Sequence, residues 1–458
     1  MKDLNRDSID FGTTRIAPLF RSIFFPTLLS LVFTSLLTVV DGIFVGQGVG
    51  SDALAAVNIV APLFLFTTGM AMMFGVGVSV VASIHLAQGN RKAADINVTQ
   101  ALFAAPVLMA LLAVIVYIFR EPFLRLLGSS DALLPYAMDY LVALLPGCVS
   151  MLVEMIGTFI IRMDGSPKFA SMVGIIPSAL NVFLDWLFVF PLDMGVAGSS
   201  LATTVCCTIA AVMVLWYMWR KSITVHLYKL KWTRTSLHLT VRNLGYMVRS
   251  GFSSLLGELA MAVMMLTGNY VFIRALGEDG VAAFSVACYL YPIVFMVNNA
   301  VAQSAQPIIS YNHGARLNAR VREALHLSVK TAVVCGIVCM CILVFGARPL
   351  ISMFLQPGSM PFELAVKGLP IFACAAIFFA LNISLIGYCQ SVEDNRRATC
   401  YMILRGLIFL VPAFILLPKF LSVPGIWMAV PVTEALTLIV ILFTRKHAPS
   451  SSDDGQPR

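Results

Sequence analysis

The sequence is short of charge. Asp, Glu, Lys and Arg make up 12% of its 458 residues, while apolar residues make up 59%. Soluble proteins carry about 25% charged residues, so a soluble fold of this size would lack the polar surface to stay dissolved. A mean hydropathy of +0.88 agrees, and lipid is the expected solvent. The alternation over roughly ten residues that marks a membrane β-barrel strand is missing. That leaves helices, because hydrocarbon tolerates no unpaired backbone groups. The N-terminus, MKDLNRDSID, is polar and mixed in charge, and no small-residue cleavage pattern follows the first apolar run. That run is therefore expected to stay as the first helix rather than act as a cleavable signal.

Enzyme chemistry has little to stand on. There is no His cluster, no HExxH, no Ser/His/Asp set at a membrane face and no nucleotide loop. Gly75-Val-Gly77 reads as a small-residue packing patch. A membrane enzyme and a self-contained ATP-driven pump are both disfavoured, and no cofactor is expected. Ten cysteines are present, all in or beside apolar segments and none with His or Cys at metal-ligand spacing. They read as small packing residues.

What the chain does have is long apolar runs. Residues 22–40 and 97–119 each reach the ~20 residues that span a bilayer. Polar punctuation divides the chain into twelve spans, centred near residues 32, 70, 108, 147, 181, 207, 262, 294, 333, 376, 407 and 434. With the N-terminus inside, 24 of the 31 Lys and Arg residues fall on the inner side, Arg162 among them. That bias predicts two cytoplasmic termini; a plasma membrane, the inner membrane of a bacterium, is the expected location. It also accounts for the net charge of +8 without nucleic acid as a partner; membrane lipid is the surrounding expected instead.

The basic segment 220–243 falls mid-chain and holds Tyr228 and Trp232, which suits an amphipathic stretch at the interface. On either side lie halves that look alike. Gly50-Ser-Asp-Ala-Leu-Ala-Ala56 parallels Gly277-Glu-Asp-Gly-Val-Ala-Ala283, and Arg-Glu-Pro122 parallels Arg-Pro349, both 227 residues on. Gly89 is set against Gly314, and Gly195-Val against Gly425-Ile, at offsets of 225 and 230. The expected fold is an all-α integral membrane protein of twelve transmembrane helices in two pseudo-symmetric six-helix lobes. Its parts are a cytoplasmic N-terminal segment (1–14), an N-lobe (15–219), a linker (220–243), a C-lobe (244–446) and a polar tail (447–458). An even number of spans per half makes this a parallel repeat, which places a substrate cleft between the lobes.

Ionisable residues inside spans are costly and mark function by default. Asp41 lies towards the outer end of span one; Asn181 and Asp185 lie in span five, one turn apart on one face; Thr203 follows in span six. Two carboxylates close together in a low-dielectric site cannot both ionise cheaply, so the pair would handle protons as a unit. The same oxygens, with an Asn carbonyl and a Thr hydroxyl, could instead hold Na⁺, a hard cation that takes oxygen ligands. The plainer alternatives are that Asp41 leaves the helix at the interface and that Asp185 bonds a backbone group. In the C-terminal half, Glu258 and Arg405 fall at similar depth and are expected to pair, with a packing role as likely on sequence grounds as a coupling one. Glu154 and Glu434 read as packing or cavity residues.

The stretch 25–88, containing PTLLSLVFTSLLTVVDGIFVGQGVGSDALAAVNI, resembles the opening of MATE (multidrug and toxic compound extrusion) transporters, as does the two-lobe layout over 15–446. That family's N-lobe cation site, where present, has an Asp on helix one, Asn-x-x-x-Asp on helix five and a Thr on helix six. The sequence matches at Asp41, Asn181, Asp185 and Thr203. The resemblance implies that H⁺ or Na⁺ binding there shifts helix one, with Pro26 and Pro177 giving compliance. Some family members carry an Asp on helix ten, where this chain has Asn382, which weakens a C-lobe Na⁺ site. The resemblance further implies export of amphipathic cationic drugs or dyes, by a protein working as a monomer. A cavity for such ligands is expected from Met70, Met73, Met261, Met265, Asn298, Gln303, Gln306 and Asn382, since flexible Met-rich surfaces suit varied shapes. A lipid-linked oligosaccharide flippase of the same superfamily is the first alternative. It is disfavoured because Arg405 is almost the only basic residue placed inside a span; a channel is the second.

Overall fold

The computed structural model describes residues 10–49, 51–230 and 233–446; side chains at 37–43, 45–48, 51–55, 235, 445 and 446 also lie outside the described set. Among the described residues there are helices and no strands. Ten continuous helical stretches are long and apolar enough to cross a bilayer. Two of them, Ser236–Gly314 and Asn395–Thr444, hold 79 and 50 residues, far more than one crossing needs. Each is broken inside by a non-helical residue, Gly277 and Ser422. Divided there, the chain makes twelve spans: α1 (Ile16–Gly48), α2 (Ser51–Ala87), α3 (Arg91–Ile118), α4 (Leu134–Met163), α5 (Pro167–Val189), α6 (Gly195–Arg220), α7 (234–276), α8 (278–314), α9 (Asn318–Phe345), α10 (Met360–Ser391), α11 (395–421) and α12 (423–446).

The breaks show the repeat more sharply than the sequence does. Left-handed backbone recurs at Gly89 and Arg316, at Gly165 and Glu393, and at Gly195 and Ser422, pairs separated by 227, 228 and 227 residues. Gly89 therefore corresponds to Arg316 rather than Gly314, and Gly195 to Ser422 rather than Gly425. The α2–α3 and α8–α9 turns, the α4–α5 and α10–α11 turns, and the starts of α6 and α12 share their geometry although a glycine is kept only in the N-terminal half. Polar caps close several of these turns. Asn90 accepts from the Ala93 N–H at the start of α3, and Asp394 from the Arg397 N–H at the start of α11, satisfying donors that a helix start leaves open.

Two large buried cores follow the two halves. One packs α2–α6 around Phe74, Leu102, Leu141, Ile156 and Val214; the other packs α7–α12 around Phe272, Phe284, Phe379, Phe414 and Trp427. A third joins the lobes: Ile16, Leu19, Phe20 and Ile23 of α1 bury against Ala300, Val301, Ile308 and Ile309 of α8 and Val321 and Ala324 of α9. The start of α1 thus belongs to the opposite lobe's packing.

The connection between lobes is held from the N-lobe. Asp164, buried in the α4–α5 turn, accepts the backbone N–H groups of Ile223, Thr224 and Val225 at 2.9, 2.7 and 3.1 Å and the Tyr217 hydroxyl at 2.7 Å. Asp95 accepts the His226 N–H, and the Thr99 hydroxyl the Tyr228 N–H. Residues 222–230 run without helix, while a helix has already begun at Arg234, capped by Thr233. Trp232 lies outside the described residues.

Candidate functional site

Three groups of polar residues sit inside this apolar frame: one in each lobe and one between them. In the N-lobe, α1 and α5 run parallel and are joined by polar contacts. The Ser30 hydroxyl donates to the Ser171 carbonyl at 3.4 Å, and the Thr34 and Ser178 hydroxyls meet at 3.3 Å. Gly174 gives Ser30 its room. Two turns further along both helices, about 10 Å at 1.5 Å per residue, lie positions 41 and 185, which therefore stand at one level of the lobe. The Asp41 side chain is outside the described residues. Asp185 is fully buried, and Asn181 is half-buried one turn before it with its amide nitrogen unpaired. On α6, packed against α5, the half-buried Thr203 donates to the Ser199 carbonyl at 3.3 Å, which leaves its oxygen free to accept. Thus α1, α5 and α6 gather. Among the described residues no three His, Cys, Asp or Glu side chains cluster as metal ligands.

The C-lobe group differs from its expectation. Arg405 pairs with Glu434, not with Glu258: Nε meets Oε1 at 2.6 Å, both side chains being at most 5% exposed. The guanidinium also donates to the Tyr291 hydroxyl at 3.0 Å and lies 4.4 Å from the Phe379 ring centre. Asn382 donates to Glu434 Oε2 at 2.8 Å and to the Glu434 carbonyl at 2.9 Å. The reason is helical phase. Small residues of α7 face α11, where Gly406 meets Ala260 and Gly257 meets Met402. Successive helix residues point about 100° apart, so Glu258 is turned away from that seam. A π-turn at Leu404–Ile408 sets Arg405 towards α12; such turns are frequent at functional sites.

Glu258 instead lines a cavity between the lobes with Gln303, Gln306 and Asn299 of α8, Met72 of α2 and Met402 of α11. It is the sole ionisable side chain in that lining. The cavity leaves about 40 Å³ for water-sized molecules, room for a few waters and for no drug-sized ligand until the lobes part. Of the residues expected here, Gln303 and Gln306 line it. Met261 lines a smaller cavity with Arg405, Glu434 and Tyr291. Met70 and Met73 belong to the N-lobe core and Met265 packs on the C-lobe core. Asn298 donates to its own helix at Val294, and Asn382 is committed to Glu434.

The lobes close tightly on the side that holds the linker. Gly77 of α2 lies on the Met247 carbonyl and Gly251 of α7 on the Met73 carbonyl, so close that a Cβ at either would collide with backbone. Gln306 donates to the Val76 carbonyl at 3.2 Å. Arg162, counted with the loop residues on sequence, is buried in the last turn of α4. It reaches across the lobes to Gln303 Oε1 at 2.7 Å, with the Phe159 ring at 5.0 Å. Arg320 and Asn312 hold the Phe11 carbonyl, each at 3.0 Å, and Arg320 the Thr14 carbonyl at 2.6 Å.

Two bundles of six spans, related by a 227-residue repeat and enclosing a largely apolar cavity with one carboxyl group and four amides, narrow the choice of family, and comparison with known proteins decides it. The MatE family model matches residues 26–187 and 243–415. The chain belongs to the MATE family. The family's members are transporters rather than enzymes, and this member is a multi-pass membrane protein. A FAD transporter of Shewanella oneidensis is 24% identical over 425 residues, 90% of each chain. The multidrug export protein MepA of Staphylococcus saprophyticus is 23% identical over 422 residues, again 90% of each. A multidrug resistance MATE transporter solved in an outward-facing conformation superposes with a TM-score of 0.86 at 21% identity, covering 96% of this chain and 97% of that one. A transporter from Pyrococcus furiosus, reported with reversed polarity of its binding pocket, gives 0.85 at 21% identity over 94% and 96%. At this identity the structures establish the fold that MATE members share.

Proposed function

We propose that the protein exports amphipathic organic cations in exchange for H⁺ or Na⁺, by rocking of the two lobes about the inter-lobe cavity. The observation that carries this reading is the cavity lining: one carboxylate, Glu258, among amides and methionines, with no basic side chain. A cation is attracted there, and flexible thioethers fit varied shapes. The names of the MepA relatives support multidrug export. Coupling is assigned to Asp41, Asn181, Asp185 and Thr203. The linker side, where the lobes are closed, is the cytoplasmic side by its share of Lys and Arg. The described arrangement is then sealed inwards, as expected of a carrier poised to receive H⁺ or Na⁺ from outside.

A second reading, transport of an organic anion, is favoured by one observation. Arg162 is buried beside Gln303 and has no acidic partner among the described residues. The FAD transporter relative is the precedent by name. Proteoliposome uptake of a cationic dye and of FAD, compared in wild type, Glu258→Gln and Arg162→Gln, separates the two. Dye transport lost in Glu258→Gln supports cation export. FAD transport lost in Arg162→Gln, with dye inert throughout, would overturn it.

A further inference from the structure

The linker-side end of α6 carries aromatic rings that neither the transport reading nor the lobe packing uses. α6 has 26 residues, about 39 Å at 1.5 Å per residue. It outreaches the ~30 Å hydrocarbon layer, so its last turn stands among the headgroups. Val212, Trp216 and Trp219 follow one another at i, i+4 and i+7 on one face, and all three are exposed, Trp219 at 71%. Trp216 meets Phe169, at the start of α5, with ring centres 6.0 Å apart. Met172 and Ile176, three and seven residues on from Phe169, are exposed on the same face of α5. The two helices pack together, so an apolar strip runs from Trp216 and Phe169 into the membrane.

Two cations cap this strip. Lys221 Nζ lies 4.8 Å from the Trp216 ring centre and 5.8 Å from that of Phe169, and the Arg220 guanidinium lies 4.0 Å from that of Trp219. Neither makes an ion pair or a side-chain hydrogen bond among the described residues. The carboxylate of the adjoining α4–α5 turn, Asp164, is taken up by the linker N–H groups and the Tyr217 hydroxyl. Tyr217 is buried with its ring centre 5.0 Å from that of Phe169, which fixes the rings from beneath. The ring faces hold the two cations in place and leave their N–H groups open to an anion. The arrangement is not part of the repeat: 227 residues on, Phe169, Trp216 and Trp219 correspond to Arg396, Phe443 and Lys446.

We propose that this end of α6 binds an anionic phospholipid, with Arg220 and Lys221 on the headgroup phosphate and an acyl chain along the strip below. The occupant follows from the order of the features. Cations stand at headgroup level, Trp rings lie at the boundary, and apolar side chains continue directly beneath. A soluble phosphate would meet only the first of these. The site is independent of what the inter-lobe cavity transports.

Tryptophan fluorescence in proteoliposomes of the full chain tests it. Brominated phosphatidylglycerol and brominated phosphatidylcholine are each titrated into phosphatidylcholine, and a brominated chain quenches a ring it lies against. The anionic lipid is expected to reach half-quenching at a lower mole fraction, by about fivefold per cation engaged. Arg220→Gln/Lys221→Gln should abolish that preference, as should Trp216→Phe/Trp219→Phe, which removes the reporting rings. Arg322→Gln/Arg396→Gln takes the same charge from the linker side of the C-lobe and should leave it intact. Equal quenching by the two lipids in wild type overturns the proposal, as does a preference that survives the loss of either pair on α6. A preference weakened alike by both charge-removing variants means diffuse attraction and overturns it as well. Glycerol 1-phosphate in solution should not relieve the quenching; relief would assign the cations to a soluble phosphate instead.

Discussion

Removing one member of the Arg405–Glu434 pair should unfold the C-lobe far more readily than removing both. Glu434→Gln keeps the shape and the contact with Asn382, yet it leaves a guanidinium buried at 5% exposure with only the Tyr291 hydroxyl, the Met402 sulfur and the Phe379 ring beside it. An uncompensated buried charge of this kind costs about 3–5 kcal/mol. Arg405→Met alone should cost a similar amount, since it strands the carboxylate. The double variant Arg405→Met/Glu434→Leu removes both charges together with both desolvation penalties, and is expected within about 1 kcal/mol of wild type. Tyr291→Phe removes a single hydrogen bond to the charged guanidinium and should cost about 1.5–3 kcal/mol. Unfolding in mixed micelles followed by far-ultraviolet circular dichroism measures all four. Single variants within about 1 kcal/mol of wild type, or a double variant no more stable than the singles, would refute the reasoning that the pair is a closed structural unit.

Three further outcomes follow from the frame. Gly251→Ala places a Cβ against the Met73 carbonyl, an overpacking of about 1–3 kcal/mol against the closed linker side; spin labels at the linker-side ends of α2 and α8 should report a longer distance, and an unchanged one contradicts the closure described. Ser422 adopts φ 53, ψ −135, the counterpart of Gly195 and a region close to glycine-only; Ser422→Gly should stabilise by about 1 kcal/mol, read as a higher unfolding midpoint. Asp164→Ala strips acceptors from three linker N–H groups; it should destabilise by about 3 kcal/mol and expose residues 222–230 to protease, where a cleavage rate equal to wild type would contradict the clamp.

The spans were legible because each crossing demands a run of apolar residues, and lipid leaves few alternatives. The repeat was legible in outline; its register was not, because the matching turns keep their backbone while Gly gives way to Arg316, Glu393 and Ser422. Side-chain partners were the hardest to read. Glu258 and Arg405 sit at matching depth, but depth along a helix says nothing about phase around it, and the small residues Gly257 and Gly406 claim the contact face. Glu434 reads from sequence as a packing or cavity residue, and it does line the smaller cavity; its pairing with Arg405 was hidden for the same reason, though its place on α12 beside α11 made it a neighbour. Arg162 looked like a loop arginine because it stands one residue from the end of α4; only the approach of α8 from the other lobe turns that end inwards. Among the cavity candidates, one face of α8 at Gln303 and Gln306 was visible as polar spacing, whereas methionines on α2 could not be sorted by face, and Met72 rather than Met70 or Met73 lines the cavity.

The most direct test of coupled export is dye movement in proteoliposomes of the purified protein, driven separately by a pH gradient and by a Na⁺ gradient. The account predicts that one of the gradients drives a fluorescent cation across the membrane, and that Asp185→Asn and Asp41→Asn each abolish the driven movement while dye binding persists. Movement that ignores both gradients, or that survives both substitutions, would contradict it.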